Sequence, residues 1–181
     1  MNLKAKIMDE AAMQRSLARI THEIIEKNLG AEKLCLLGIK RRGVPLAQQL
    51  AENIERFEQV KVPVGHIDIT LYRDDLTELT NLPVSKDCCI PCDLKNTIVI
   101  IVDDVLYTGR TARAAIEAVF SYGRPKAIQL AVLIDRGHRQ LPIRADYVGK
   151  NIPTANNEVV SVKTLAFDGE NSVCIYQNSK E

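Results

Sequence analysis

The stretch TIVIIVDDVLYTGRTARAA, residues 97–115, decides how this chain folds. An apolar run from Ile98 to Val102 drives into two adjacent carboxylates, Asp103 and Asp104. Thr108, Gly109, Arg110 and Thr111 come next, and a helical pattern then fills 110–122 until Gly123 and Pro125 stop it. A continuously apolar run without polar alternation is a strand buried on both faces. A strand that leads through a short polar loop into a helix is half of a βαβ unit.

The same grammar repeats on either side. Upstream, KLCLLGI (33–39) is a second short apolar strand, followed by KRRG (40–43) and a helical pattern over 44–56. VGHIDITLY (64–72) reads as a strand. Downstream, AIQLAVLID (127–135) is another, and DRGHR follows it from position 135. Near the N-terminus, Met13, Leu17, Ile20 and Ile24 fall at helical spacing within 9–28, with Gly30 as the stop. From about residue 140 only short strand-like pieces remain, among them ADYVG and SVCIYQ. The expectation is an α/β fold, an open and mostly parallel twisted sheet flanked by helices. Too few units are present for an eight-stranded barrel. In open parallel sheets ligands bind beyond the carboxyl ends of the strands. KRRG, DDVLYTGRT and DRGHR all fall there, so three loops on one rim are expected to form one site.

Composition limits the alternatives. The 181 residues, 46% of them hydrophobic, suit one domain with a substantial core, here expected to span 1–181. A net charge of +1 leaves no global field for nucleic acid or membrane, so any such partner needs a local patch. No apolar segment approaches the ~18 residues of a membrane span, and MNLKAKIMDEAAMQRS shows no signal-peptide core. The five cysteines are odd in number and fit a reducing cytoplasm. CCIPC (88–92) holds a single CxxC without a second ligand pair, so free thiols are expected in place of a zinc site. Residues 73–92 are polar and broken by Pro83 and Pro91, the pattern of a long loop, and 73–87 is expected to be mobile.

The chemistry of the central loop follows from its residue types. Gly109 lets backbone approach a ligand, and free N–H groups with hydroxyls at a helix N-terminus bind phosphate. Two carboxylates beside that cradle would repel phosphate. They suit another part of the same ligand, either vicinal sugar hydroxyls or a hydrated Mg²⁺. Phosphate, diol and metal together describe a ribose phosphate. The G-x-x-x-x-G-K-[ST] and G-x-G-x-x-G loops are absent. A response-regulator receiver carries its acidic pair after the first strand, whereas two strands precede this one.

VIIVDDVLYTGRT resembles the 5-phosphoribosyl-1-diphosphate (PRPP) motif of the type I phosphoribosyltransferases. GIKRRG, DITLYRDDL and QLAVLIDRGHRQLPIRADYVGKNIPT extend the likeness, from MDEAAMQRSLARITHE to about Thr154. They are similar to the bacterial regulators of pyrimidine operons that also act as uracil phosphoribosyltransferases. The resemblance implies the type I fold with a small hood. It implies that Asp103 and Asp104 hold the PRPP ribose hydroxyls and that Val105, Leu106, Tyr107, Thr108, Gly109, Arg110 and Thr111 form the phosphate segment. Lys40, Arg41 and Arg42 become the diphosphate loop, which in this fold often contains a non-proline cis peptide. Arg73 would act from a closing loop, Asp135, Arg136, Gly137 and His138 would shape the uracil pocket, and Mg²⁺ would arrive through PRPP. The shared PRPP string leaves a transferase for another base as the alternative.

A second function is implied on another face. On the first helix Arg15, Arg19, His22 and Glu26 form a stripe opposite its apolar positions. By resemblance, Arg19 and His22 with Arg139, Arg144 and Lys150 bind pyrimidine-operon leader mRNA, with UMP or UTP tuning affinity. Several relatives carry a hydroxyl residue where this chain has Ala18, which puts one RNA contact in doubt. Family members assemble as dimers or larger homo-oligomers, and at least a homodimer is expected.

Overall fold

The computed structural model describes residues 1–70 and 88–177. Arg73, the expected closing loop 73–87 and the last residues of the expected strand 64–72 therefore lie outside the described residues, wholly or in part.

The elements run β1 (Asn2–Met8), α1 (Glu10–Asn28), β2 (Leu34–Ile39), α2 (Gly43–Glu58), β3 (Val64–Ile67), β4 (Ile98–Leu106), α3 (Arg110–Tyr122), β5 (Ala127–Asp135), β6 (Tyr147–Asn151), β7 (Glu158–Lys163), α4 (Leu165–Asp168) and β8 (Ser172–Gln177). The main sheet has the order β3-β2-β4-β5-β6, and every pairing in it is parallel. Chain order reverses between β2 and β4, which makes that gap the switch point where ligands of such sheets bind. A second sheet, β1-β8-β7, is antiparallel and supplies the hood.

The central strand shows why the apolar runs are continuous. Ile100 and Val102 of β4 pack with α1 and α2 side chains such as Leu17, Ile20, Leu50 and Ile54. Val99 and Ile101 point to the other face, where α3 contributes Ala112, Ala115, Ala118 and Val119. Alternate residues thus feed two cores, and a polar residue at any of these positions would be buried.

Three boundaries differ from the sequence expectation. β4 does not end at Asp103 but continues to Leu106, because β5 is equally long and pairs Asp103 with Val132 and Leu106 with Asp135. β3 is shorter than 64–72: Asp68 Oδ1 accepts from Thr70 N (3.0 Å) and Thr70 Oγ1 (2.6 Å), and this local turn replaces the ladder. β1 carries no sequence signature, since its only fully buried residue is Met8. Helix α1 begins as expected, with Asp9 Oδ1 accepting from Ala12 N at 2.8 Å, and it ends at Asn28 with Leu29 in the left-handed region.

The first turn of α2 lies hard against β4. A Cβ on Gly43 would collide with the Val102 carbonyl oxygen, so only glycine lets the KRRG loop approach the carboxylate strand this closely.

Candidate functional site

The KRRG loop leaves β2 directly beside the end of β4. Its Lys40–Arg41 peptide is cis. Lys40 and Arg42 are half-buried and Arg41 is exposed. Arg42 is near enough to Asp104 to pull that carboxyl's pKa down, yet burial wins and Asp104 titrates above its ordinary value. Asp103 is raised well above the usual carboxylate range, first by burial and then by the charge of Asp104. Asp103 Oδ1 accepts from Asp104 N and Asp104 Oδ1 from Val105 N, both at 2.9 Å, which orients the pair.

A raised carboxyl pKa in the folded state opposes folding increasingly as pH rises from the unfolded value towards the folded one, and in full above it. Below the unfolded value of about 4 both states are protonated and the penalty is absent. Asp103→Asn, which keeps an acceptor for Asp104 N, is therefore expected to stabilise the protein at neutral pH. The gain should grow as pH rises from about 4 towards the folded-state value, level off above it and vanish below about 4. Urea unfolding at several pH values measures it, and each unit of elevation corresponds to about 1.4 kcal/mol.

Beyond the pair, Val105 and Leu106 still belong to the strand, and Leu106 is buried in the α3 core. Gly109 takes the left-handed region at φ 94° as the N-cap of α3, and no side chain caps the helix. Thr108 Oγ1 accepts from Arg110 N at 3.4 Å, and these groups, with the next N–H groups and the Thr111 hydroxyl, lie at a positive helix end suited to a phosphate. The loop after β5 wraps this segment: Thr108 O accepts from Gln140 N (2.9 Å) and Leu141 N (3.1 Å), and Arg110 Nε donates to Gln140 Oε1 (2.9 Å).

Asp135 and Arg136 hold that third loop. Asp135 Oδ1 accepts from Gly137 N at 2.9 Å. Arg136 is only 6% exposed; it stacks 4.1 Å from the Tyr107 ring centroid and donates to Thr154 Oγ1 (3.1 Å) and Glu158 O (2.7 Å). His138 has a left-handed backbone, φ 58°, and its Nε2 lies 2.5 Å from Thr154 O. Arg136 thereby ties the rim to Glu158 of β7, whose carboxylate pairs with Lys4 of β1 within the hood sheet. The three expected loops, KRRG, DDVLYTGRT and DRGHR, do converge on one rim.

Arg139, expected on the RNA face with Arg144 and Lys150, is half-buried among the loops, donating to Tyr107 O (2.7 Å) and Ile143 O (2.8 Å) and pairing with Asp135. Arg144 and Lys150 are exposed. Lys150 lines a shallow depression with Arg15 and Arg19, so the stripe of α1 and the later cation form one surface. Arg19 is itself tethered: it donates to Val148 O (3.0 Å) and Gly149 O (2.6 Å) and pairs with Glu23. His22 is exposed and stacks on Phe57, ring centroids 4.3 Å apart.

Two partners had no sequence signal. Thr154 receives both Arg136 and His138, and Asp168 of α4 holds Arg42. The five cysteines are free thiols. Among the described residues no three His, Cys, Asp or Glu side chains gather around a metal position, and no helix is long and apolar enough to cross a membrane.

The phosphoribosyl transferase domain family matches residues 5–166. The chain is 62% identical over 177 residues to Bifunctional protein PyrR of Clostridium acetobutylicum, covering 98% of this chain and 99% of the relative. The chain belongs to the PyrR family of phosphoribosyltransferases. A second PyrR relative, from Caldicellulosiruptor bescii, is 58% identical over 97% of both chains. The fold also matches the hypoxanthine phosphoribosyltransferase of Trypanosoma cruzi at a TM-score of 0.73 and 20% identity, over 97% of each chain. That of Staphylococcus aureus gives 0.68 at 23% identity, over 87% of this chain and 82% of that one. At these identities the likeness of this chain to the two hypoxanthine phosphoribosyltransferases concerns the fold alone.

Proposed function

We propose that the chain is an RNA-binding regulator of pyrimidine biosynthesis operons that also converts uracil and PRPP to UMP and diphosphate. The observation that carries this reading is the carboxylate pair beside the uncapped N-terminus of α3, in a chain 62% identical to a PyrR protein over almost its whole length. Uracil N1 bonds to ribose C1 as the C1–O bond to diphosphate breaks; the electron pair of that bond leaves with the diphosphate, and the N1 proton passes to the departing diphosphate or to water. Asp103 and Asp104 accept from the ribose hydroxyls and face the positive charge that develops on the ring. Thr108, Gly109, Arg110 and Thr111 cradle the 5-phosphate. Lys40, Arg41 and Arg42 take the diphosphate, with Arg73 adding charge from the closing loop. Backbone groups of the Asp135–His138 segment read the base, held in place by the Asp135 and Arg136 side chains. The protein's work is alignment and charge stabilisation more than nucleophilic chemistry.

Mg²⁺ fits this site as an ion carried by substrate oxygens, because the rim offers two hard carboxylates and, among the described residues, no complete protein ligand set. When bound it neutralises diphosphate charge. The leader mRNA meets the surface of Arg19, His22, Arg144 and Lys150, and UMP or UTP in the rim tunes that affinity. The working form is a cytoplasmic homodimer or larger homo-oligomer.

Uracil-dependent diphosphate release from PRPP, run beside a leader-RNA titration with and without UMP, tests both halves. Release with uracil, together with tighter RNA binding when UMP is present, is expected. Release with hypoxanthine in place of uracil, and no RNA binding, would give the role to another base.

A further inference from the structure

Asp168 is remote in sequence from every loop of the rim, yet it grips the diphosphate loop. Arg42 Nη2 donates to Asp168 Oδ1 at 2.9 Å, and Arg42 Nε donates to Oδ2 at 3.3 Å. Thr164 N also donates to Oδ2, at 2.9 Å, so the carboxylate is anchored in the hood independently of Arg42. The pair is partly shielded, with side chains 38% and 20% exposed. Arg42 beside it holds the Asp168 carboxyl below its usual range.

A guanidinium has two forks, a side fork of Nε and one Nη and an end fork of both Nη atoms. Asp168 occupies the side fork. The end fork is the one that can meet two oxygens of a diphosphate. We infer that Asp168 is a positioning residue: from the hood it fixes Arg42 so that the end fork faces the leaving diphosphate. This rests on the reading above that Arg42 meets that group. An arginine ordered in advance does not lose its rotamer freedom on binding. The Asp168 charge also repels diphosphate, and the gain from an ordered Arg42 has to exceed that cost for the titration below to show weaker binding in Asp168→Asn.

The test is calorimetric titration of magnesium diphosphate into the wild type, Asp168→Asn, Asp168→Glu and Asn171→Ala, with PRPP kinetics in parallel. Asp168→Asn is expected to weaken diphosphate binding and raise the KM for PRPP by about tenfold, the cost of ordering one long side chain. Its kcat and its KM for uracil should stay within about threefold of wild type. Asp168→Glu should recover part of the loss. Asn171→Ala removes the 2.8 Å bond from Leu165 N to Asn171 Oδ1, loosening α4 without touching Arg42, and should bind diphosphate as the wild type does. Equal or tighter diphosphate binding by Asp168→Asn overturns the inference, as does an equal loss in Asn171→Ala. So does a wild type that binds no diphosphate. A wild type that binds diphosphate but forms no UMP defeats the uracil reading alone, and the titration still decides the role of Asp168.

Discussion

Asp104→Asn is expected to lower kcat/KM for uracil phosphoribosylation by about 10²-fold while leaving the fold intact and slightly more stable. The amide oxygen can still accept from Val105 N, now 2.9 Å from Asp104 Oδ1, so local strand geometry survives. What disappears is the negative charge next to the reacting sugar. Positive charge grows on the ribose as the C1–O bond breaks, so the carboxylate contributes more in the transition state than in the ground state. The loss should therefore fall mainly on kcat. Stability moves the other way, because burial raises the Asp104 pKa and a neutral amide has less to lose on leaving water. Steady-state diphosphate release and thermal melting of the same preparation check both signs. Wild-type kcat/KM in this variant would remove Asp104 from the site. Lower activity with higher stability is the pattern of a charge pair kept for chemistry at the expense of the fold.

How much of this could be read from sequence depends on where the partner of each residue lies. Strand β4 was legible because Val99, Ile100, Ile101 and Val102 are all buried, on alternate faces, and so the run needs no context. Its loop was legible because a glycine, hydroxyls and carboxylates at short spacing have few other joint uses. Strand β1 was not, because it is held by antiparallel pairing to β8, some 170 residues away, and buries almost nothing of its own. The ending of β3 at Asp68 depends on a side-chain turn that competes with the ladder, which an apolar pattern does not reveal. Within the site the cations were the hardest to place. Arg139, Arg144 and Lys150 look alike as charges following a pocket loop. Only tertiary structure shows Arg139 turned inward onto Tyr107 and Ile143 carbonyls while the other two stay exposed. Arg42 was expected at the diphosphate, and its second partner, Asp168, sits in a tail that carried little pattern.

That distinction among cations sets the cleanest separation of the two proposed activities. The double variant Arg144→Gln/Lys150→Gln is expected to weaken leader-RNA binding about tenfold or more at physiological salt. It should flatten the slope of log K against log salt by up to ~1.4 units, two phosphate contacts at the single-strand value. Both side chains are exposed: Lys150 lies on β6, and Arg144 lies in the stretch before β6, beyond the Gln140 and Leu141 contacts to Thr108. Uracil phosphoribosyltransferase kinetics and the melting temperature should therefore match wild type. Arg19→Gln is a poorer choice, because Arg19 ties α1 to Val148 and Gly149 of β6. Its loss would loosen the packing that places Lys150, so weaker RNA binding would come with a lower melting temperature and not report a phosphate contact alone. His22, exposed and stacked on Phe57, offers an independent reading of the same surface: His22→Gln should lower RNA affinity while leaving catalysis unchanged. Filter binding across a salt series, with catalysis assayed on the same samples, measures the double variant directly. An unchanged affinity and slope would place the RNA elsewhere, because two exposed cations cannot leave a phosphate backbone without releasing fewer counterions.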